Sequence, residues 1–251
     1  WLICIPIMLW VFVFSYYPMY GILMGFVEYI PGKEIFQSQW VGLRYFLEFF
    51  NSPHFLLVMR NTLAISLLGI VFGFPAPIFL ALLFNELRLR RFKKTVQTIS
   101  YLPYFVSWVV AASIIYTLLG NDGIVNEVLI ELGIFKRAFS FLGEPKAFWP
   151  LLTLANIWKT AGFSAIIYMS AIAGIDRELY QAGMVDGLGR LGMVRYITLP
   201  SIMPTIAVLL ILSIGGLLNA GFEQQLLLGN IQTMEYWDVI DTYVYRYGVQ
   251  L

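Results

Sequence analysis

Residues that could carry out chemistry are few in this sequence, and they are scattered along it. Its one cysteine, Cys4, lies in an apolar run, and its one histidine, His54, follows a proline. A single cysteine excludes an intrachain disulfide and a metal site built from thiolates. A lone histidine with no second ligand beside it is more often a packing or surface residue. Because no nucleophile lies next to a base, the sequence predicts no catalytic residue, no metal site and no enzyme activity.

A phosphate-binding loop is also missing from the sequence. Gly32-Lys33 has neither the upstream glycine nor the following serine or threonine of the G-x-x-x-x-G-K-[ST] pattern, whose backbone N–H groups cradle phosphates. The sequence therefore offers no ATP-hydrolysing site of this kind.

Composition indicates which elements could position any functional group. Of the 251 residues, 59% are hydrophobic and 12% are charged, and the mean hydropathy is +0.76. A water-soluble domain carries more polar surface than this. The charges are clustered, and between the clusters lie apolar windows that reach the roughly 20 residues needed to span a bilayer as a helix. Five windows qualify: 1–27, 61–85, 95–121, 147–175 and 196–222.

Continuous apolar runs favour helices over a barrel, whose strands alternate polar and apolar residues. The predicted fold is therefore all-α, a polytopic transmembrane helix bundle forming a single domain over 1–251. The linker 86–94 holds five basic residues and one acidic residue, which places it in the cytoplasm by the positive-inside rule. Counting crossings from this linker puts 176–195 inside as well, and 28–60, 122–146 and 223–251 outside.

The second cytoplasmic segment, 174–200, has the pattern of two short helices joined by a glycine hinge. Asp176 can cap the first helix, and Gly187 and Gly189 permit the turn that ends it. We expect the second helix, 190–197, to end before Leu199-Pro200, because the residue before a proline is pushed out of the helical region. The result would be a compact knob projecting from the membrane.

This knob resembles the EAA loop of ATP-binding-cassette importer permeases, in which E-A-A, D-G and I-x-L-P follow at fixed distances. The matching residues are Gln181-Ala182-Gly183, Asp186-Gly187 and Ile197-Thr198-Leu199-Pro200. The resemblance implies that the knob contacts a cytoplasmic ATPase. Gln181 replaces the family's glutamate, so a neutral hydrogen bond would replace an ionic one. The coupling residues implied are Tyr180, Gln181, Ala182, Gly183, Asp186 and Gly187.

Other segments resemble the carbohydrate group of these type I importers. They include Tyr16-Tyr17-Pro18-Met19, Tyr101-Leu102-Pro103, and Ile157-Trp158-Lys159 with Gly162-Phe163. Within this group the sequence is similar to permeases for oligosaccharides such as alginate or pectin fragments. The resemblance implies a multi-pass protein of the bacterial cytoplasmic (inner) membrane, with a sixth spanning helix outside 1–251.

The same resemblance implies the partners of the chain. They are a second permease subunit, expected to be a different chain, two ATPase subunits that carry the ATP and Mg²⁺, and an extracytoplasmic solute-binding protein. The cargo would be an oligosaccharide, the surroundings a lipid bilayer, and no nucleic acid or cofactor of the chain's own is expected.

Polar and aromatic residues in and just after the fourth and fifth windows are the candidates for contact with a sugar, since aromatic faces pack on C–H surfaces and amides bind hydroxyls. The candidate set is Asn156, Trp158, Lys159, Tyr168, Asn219, Glu223 and Gln224. For the aromatic and amide members, helix packing is the competing interpretation. Glu223 and Gln224 could equally belong to a solvated helix end.

Lys159 is a special case, because a charged residue inside a spanning segment is costly and marks a pathway or a paired site by default. None of the five windows contains an acidic residue. Its partner would therefore come from the second permease, the lipid interface or the cargo, and an acidic oligosaccharide would supply carboxylates. Contact with the cargo and contact with the partner subunit both stay open.

Two other functional classes remain as alternatives. An ATP-independent secondary transporter or channel would be expected to carry acidic or histidine residues inside its helices for ion coupling, and the five windows lack them. An integral membrane enzyme or receptor would need a catalytic or ligand-binding constellation, and the sequence shows none.

Overall fold

The computed structural model describes residues 4–30 and 32–248 and divides into two compact units, Trp1–Leu56 and Leu57–Leu251. The first unit begins with one apolar helix that changes its hydrogen-bond pattern along its length, from α1 (Cys4–Val11) through a π turn (Phe12–Tyr16) to a 3₁₀ segment (Tyr17–Phe26). The apolar window within Cys4–Phe26 buries none of its residues inside the chain. Because this helix is apolar and is not covered by the rest of the chain, it must face lipid or another subunit.

Short elements complete the first unit. They are strands β1 (Val27–Glu28) and β2 (Gln39–Trp40), which pair antiparallel with Val27 opposite Trp40, a 3₁₀ turn (Ile35–Gln37) and α2 (Arg44–Phe50). Cys4 and His54 are both exposed.

From Phe55 onward the described chain consists of helices and their connections. The α-helices are α3 (Phe55–Leu68), α4 (Pro75–Glu86), α5 (Arg90–Tyr101), α6 (Trp108–Leu119), α7 (Ile124–Glu131), α8 (Phe148–Ala173), α9 (Arg177–Val185), α10 (Arg190–Met193), α11 (Leu199–Gly215), α12 (Glu223–Leu228), α13 (Met234–Trp237) and α14 (Ile240–Gly248). Two further π turns lie at Gly69–Gly73 and Val194–Thr198, and 3₁₀ turns lie at Leu102–Phe105 and Pro145–Ala147. This architecture confirms the all-α prediction.

Each of the three π turns ends two residues before a proline, at Pro18, Pro75 and Pro200. A proline has no N–H to donate, and its ring clashes with the carbonyl four residues earlier. A π turn widens the helix at that point. At the second turn, the N–H of Phe74 donates to the Gly69 carbonyl five residues back, at 2.8 Å. The wider turn lets each helix continue through its proline.

The expected end of the second knob helix before Leu199-Pro200 is therefore wrong. The helix continues from Arg190 through the π turn and α11 to Gly215. The preference of the residue before a proline for extended backbone is overridden here, since Leu199 is helical (φ −60°, ψ −49°), and the π turn relieves the clash of the ring with the carbonyl four residues earlier. The second half of the knob is consequently one helix with the fifth apolar window.

The third predicted window, 95–121, is two helices rather than one. The chain leaves α5 through the 3₁₀ turn that contains Pro103 and becomes extended at Val106 (φ −80°, ψ 136°). Ser107 then caps α6, accepting a hydrogen bond from the Val110 N–H at 3.4 Å. The break has a local cause, since Pro103 cannot donate within the helix.

By length and composition, four helices of the described chain are long and apolar enough to cross a membrane: Cys4–Phe26, Phe55–Glu86, Trp108–Glu131 and Arg190–Gly215. The predicted fourth window, 147–175, is not among them. It forms α8, which at 26 residues is roughly 39 Å long and exceeds a bilayer core. Asn156 and Lys159 lower its apolarity. Two buried clusters pack on α8, so it needs less apolar surface than a helix surrounded by lipid.

Two buried clusters lie along α8. One surrounds Phe148, Leu152 and Ala155 and includes residues of α3, α6 and the last helices. The other surrounds Ala165, Tyr168 and Ile172 and includes residues of α4 and α11. Helix α8 is therefore the central element of the unit Leu57–Leu251. The polar residues of α8 between the two clusters are positioned by the packing on both sides of them.

Candidate substrate path and coupling surface

A cleft of about 690 Å³ opens along α8, between its two buried clusters. Its walls are the π turn before Pro75, one face of α8, the last turns of α11, and the segment 216–224. Gly69 and Gly73 line it, and no heavy atom lies within 4 Å of where a Cβ at either glycine would be. The absence of these side chains therefore widens the cleft directly.

The polar lining of the cleft consists of hydroxyl and amide groups. On α8 they recur every three or four residues and so share one helix face. The set is Ser66, Thr153, Asn156, Thr160, Ser164, Tyr168, Ser213, Asn219 and Gln224, and the described lining holds no acidic or basic residue. Such a surface can donate hydrogen bonds to a polyhydroxylated ligand and accept them from it, and it offers no charged group to pair with a charge on the ligand.

Several of these groups keep hydrogen-bonding capacity for a ligand. The amide of Asn156 has no hydrogen-bond partner among the described residues. Ser66 Oγ is buried and also has no hydrogen-bond partner among them. The hydroxyl of Thr160 donates to the Asn156 carbonyl at 2.7 Å, so its oxygen can still accept. Asn219 uses its side-chain oxygen to accept from the Gly221 N–H at 3.3 Å.

The structure brings four of the seven predicted path residues into this cleft: Asn156, Tyr168, Asn219 and Gln224. Glu223 is exposed and does not line it. Trp158 is 43% exposed and borders a separate groove of about 520 Å³ between α6 and α8 whose lining is apolar. Trp158 thus lies on a different side of the helix from Asn156.

Lys159 is directed away from the cleft, towards the break between α5 and α6. The residue is 7% exposed. Its ammonium donates to the carbonyls of Pro103 at 3.4 Å and Tyr104 at 3.1 Å, and also to that of Val106. It also lies 5.5 Å from the centre of the Trp108 ring. The inference that its partner must come from outside this chain is wrong, because backbone carbonyls of the same chain accept all three bonds.

The knob begins as the sequence predicts. The Asp176 carboxylate accepts a hydrogen bond from the Glu178 N–H at 2.9 Å and caps α9. The helix ends in a Schellman motif: the Leu188 N–H bonds to the Gly183 carbonyl at 2.8 Å, and the Gly187 N–H bonds to that of Met184 at 3.1 Å. Gly187 has φ +76°, which is the conformation that requires glycine.

Close packing joins α9 to the helix that follows it. A Cβ on Gly183 would lie 2.7 Å from the Ile197 side chain, so this position admits only glycine without movement. The hydroxyls of Tyr180 and Thr198 are hydrogen-bonded at 2.9 Å. Tyr180 and Gly183 are therefore internal to the knob, whereas Gln181, Ala182, Asp186 and Gly187 are exposed.

The exposed face of the knob is also more apolar than the motif alone suggests. Val185 is 88% exposed and Leu191 is 86% exposed, and Leu179 and Met184 are exposed as well. Exposed apolar side chains of this size on an otherwise charged segment are typical of a protein interface. In the sequence, the hydrophobic residues on an otherwise polar helix were the signal that could have predicted this exposed apolar surface.

The residues 234–246 contact the middle of α3, and sequence reasoning missed these contacts. The fully buried Asn61 amide donates to the carbonyls of Glu235 and Asp238, both at 2.9 Å. The Arg60 guanidinium donates to the Glu235 carbonyl at 2.7 Å and lies 5.0 Å from the centre of the Tyr236 ring. Asp238, 2% exposed, forms an ion pair with Arg246. Only the polar start of an apolar window at Asn61 gave any sequence signal.

Comparison with known proteins places these features in a family. Residues 73–242 match the family described as the binding-protein-dependent transport system inner membrane component. The polygalacturonan/rhamnogalacturonan transport system permease protein YteP of Bacillus subtilis (strain 168) is 44% identical over 251 residues, which are all of this chain and 78% of YteP. Protein LplB of the same organism is 42% identical over 250 residues, 99% of this chain and 78% of LplB.

Two solved structures have the same fold. A chain of a bacterial ABC transporter involved in the import of the acidic polysaccharide alginate superimposes with a TM-score of 0.88 and 43% identity, over 98% of this chain and 82% of its own length. A chain of a bacterial alginate ABC transporter in complex with an alginate pentasaccharide-bound periplasmic protein gives a TM-score of 0.89 and 42% identity, over 99% and 82%. These matches confirm the predicted family and do not favour the secondary-transporter alternative. The chain belongs to the binding-protein-dependent transport system inner membrane components and is a permease subunit of a sugar-importing ABC transporter.

Proposed function

We propose that this permease subunit imports acidic oligosaccharides, uronate chains above all, and that the cleft along α8 forms its part of the path. The observation that carries the proposal is the polar face of α8, which presents Asn156, Thr160 and Ser164 to the cleft between two packed clusters. Hydroxyl and amide groups on a rigid helix suit the hydroxyl-rich surface of a sugar. The polysaccharides named for YteP and for both solved neighbours are acidic, which supports the substrate class.

The cleft would bind the sugar hydroxyls and leave the carboxylates unpaired within this chain. Its described lining holds no cation, and the one cation of α8, Lys159, is engaged with three carbonyls. Discrimination of charge would then rest with the second permease subunit and with the solute-binding protein. A path without fixed cations also releases its cargo readily, since charge-assisted hydrogen bonds are about twice as strong as neutral ones.

The chain is proposed to carry no catalytic centre, and ATP and Mg²⁺ to bind to two partner ATPase subunits. The exposed face of α9, with Gln181, Val185 and Asp186, supplies a surface on which an ATPase can dock. Because α8 ends at Ala173, three residues before the Asp176 cap, movement of the knob would reach the cleft through one continuous helix.

Reconstitution tests this proposal. The chain would be assembled with its partner permease, ATPases and solute-binding protein in liposomes, and uptake would be measured for a uronate tetrasaccharide and a neutral tetrasaccharide. We expect uptake of the uronate to require ATP and the binding protein. ATP-independent uptake, or uptake of the neutral sugar alone, would contradict the proposal.

A matched pair of variants tests whether the cleft is part of the substrate path. Asn156→Ala should raise KM for uptake, because it removes an amide that has no hydrogen-bond partner among the described residues. Ile231→Ala, at a residue that is 93% exposed and outside the cleft, should leave KM unchanged. An equal KM in both variants would exclude Asn156 from the path.

A further inference from the structure

Three residues on one side of α8 hold the segment 100–106, and this side is next to the face that lines the cleft. Lys159 donates to three carbonyls of the segment. Gly162 lies where the Ser100 carbonyl occupies the position that a Cβ would need. The Phe163 ring stacks on that of Tyr104, with centroids 4.0 Å apart and planes at 7°. We name these three residues the clamp.

The chemistry of Lys159 matches what a broken helix lacks. The helical segment that starts at Arg90 ends at Phe105, and the last carbonyls of any helix have no intrahelical donor. An ammonium has three protons and no acceptor, so it can serve three carbonyls at once. Its positive charge also complements the negative end of the helix dipole. The three carbonyls, at Pro103, Tyr104 and Val106, lie at or next to the break, and that of Pro103 also accepts from the Val106 N–H at 3.3 Å.

Neither snorkelling to an interface nor contact with the cargo accounts for this geometry. Lys159 is 7% exposed, and its amine lies among carbonyls and the rings of Tyr104 and Trp108 rather than at the surface. It does not line the cleft. A charge that is satisfied within the chain has no need of an acidic sugar.

We infer that Lys159 is a positioning residue, which caps the break between α5 and α6 and so fixes that break to α8. Gly162 allows the backbones of α8 and of Ser100 to approach closely. Phe163 fixes the position of the segment 100–106 along α8 by stacking on Tyr104. Residues 90–108 then move with α8, the helix that connects the cleft to the knob. The charge of Lys159 acts on the protein's own backbone and not on the transported sugar.

The experiment measures the position of the break directly. In a chain with Cys4→Ala, which removes its only cysteine, Phe105→Cys places a thiol at a residue that is 71% exposed beside the clamp. Ile231→Cys serves as the control, far from α8 in sequence and 93% exposed. Labelling by a small water-soluble maleimide would be followed in the assembled transporter, with Lys159 kept or changed to Met or Arg.

We expect Lys159→Met to raise the labelling rate at position 105 by at least about threefold, the order expected when a local structure loses a hydrogen-bonded cap, and to leave position 231 unchanged. Lys159→Arg should restore the rate, because a guanidinium also donates to several carbonyls. Unchanged labelling in Lys159→Met, or a failure of Arg to restore it, would overturn the inference.

A second measurement separates positioning from substrate reading. Uptake of a uronate and of a neutral oligosaccharide should fall by the same factor in Lys159→Met, with KM for each unchanged. A selective loss of uronate uptake, or a rise in its KM alone, would contradict the inference and assign the charge to the cargo. Because labelling needs no substrate, it tests the clamp even if the proposed cargo is incorrect.

Discussion

Tyr180 and Thr198 share a hydroxyl–hydroxyl hydrogen bond of 2.9 Å that joins α9 to the π turn before Pro200. The bond connects the exposed half of the knob to the helix that continues as the fifth apolar window. Thr198 is 1% exposed, so water does not compete for its hydroxyl. The knob is therefore attached to the transmembrane unit by a specific polar contact as well as by the packing of Gly183.

Tyr180→Phe should weaken the transmission of ATPase movement. The variant removes one hydrogen bond, worth about 0.5–1.5 kcal/mol, while keeping the ring. Thr198 retains its weaker bond to the Met193 carbonyl at 3.4 Å. We expect normal assembly and more ATP hydrolysed per sugar imported, measured in proteoliposomes. Tyr196→Phe is the matched control, since Tyr196 is 64% exposed. An equal ratio in both variants would show that the bond is not used in coupling.

Gly187→Leu should uncouple transport without preventing membrane insertion. Gly187 has φ +76°, and a leucine there costs about 1–2 kcal/mol of backbone strain. Gly189 provides the control: its φ is −73°, and no atom lies within 4 Å of its Cβ position. We therefore expect substrate-stimulated ATP hydrolysis to fall in Gly187→Leu and to persist in Gly189→Leu. Gly187→Asn should be intermediate, because asparagine tolerates the left-handed region. Full stimulation in Gly187→Leu would exclude a coupling role for this turn.

The sequence predicted the knob because its signals are local. A capping aspartate at Asp176 and a glycine at Gly187 act within one turn of the chain, and both have the predicted roles. The end of the second knob helix was mispredicted for a reason that is also local. The rule applied at Leu199-Pro200 is a preference of the residue before a proline, and Leu199 is helical in spite of it (φ −60°, ψ −49°). The π turn relieves the other obstacle, the clash of the ring with the carbonyl four residues earlier.

The partners of Lys159 could not be predicted from residue types. The expected partners were acidic groups, whereas the acceptors are backbone carbonyls 53 to 56 residues away. Every residue has a carbonyl, so only the position of the helix break shows which carbonyls Lys159 can reach. Asn61 and Asp238 are similar, since 177 residues separate the amide from the carbonyl that it binds. Contacts between residues so far apart in the sequence depend on the fold, and the spacing of residue types does not predict them.

Asn61→Ala should destabilise the segment 234–242. The amide is fully buried and satisfies the carbonyls of Glu235 and Asp238, and a buried polar group left without a partner costs about 1–3 kcal/mol. We expect a lower Tm for the detergent-solubilised transporter and faster proteolysis after Tyr236. Asn85→Ala, at an exposed residue, should change neither quantity. A Tm equal to that of the parent would show that these two bonds are dispensable.

Labelling from the two sides of the membrane should place the linker 86–94 inside. Arg88, Arg90, Arg91 and Lys94 are exposed, and the ion pairs of the described residues include none of the five basic residues of the linker. We expect Arg91→Cys, in a Cys4→Ala chain, to react with an impermeant maleimide only in inverted vesicles. Ile231→Cys should react only in intact spheroplasts. Labelling of Arg91→Cys from outside would reverse the predicted orientation.

Gly73→Val should narrow the substrate path from the wall opposite α8. No atom lies within 4 Å of the Cβ position at Gly73, so the valine side chain would occupy cleft volume rather than clash with the protein. The π turn is kept because its cause, Pro75, is unchanged, and valine has no lower helix propensity than the glycine that it replaces. We expect a normal Tm and assembly, a reduced maximal uptake of tetrasaccharide, and a smaller effect on a disaccharide. Gly215→Val is the matched control, because that glycine also has open space around its Cβ position but does not line the cleft. If uptake of both sugar lengths is unchanged in Gly73→Val, the cleft along α8 is not the route of the sugar, and the assignment of Asn156 to the path loses its support.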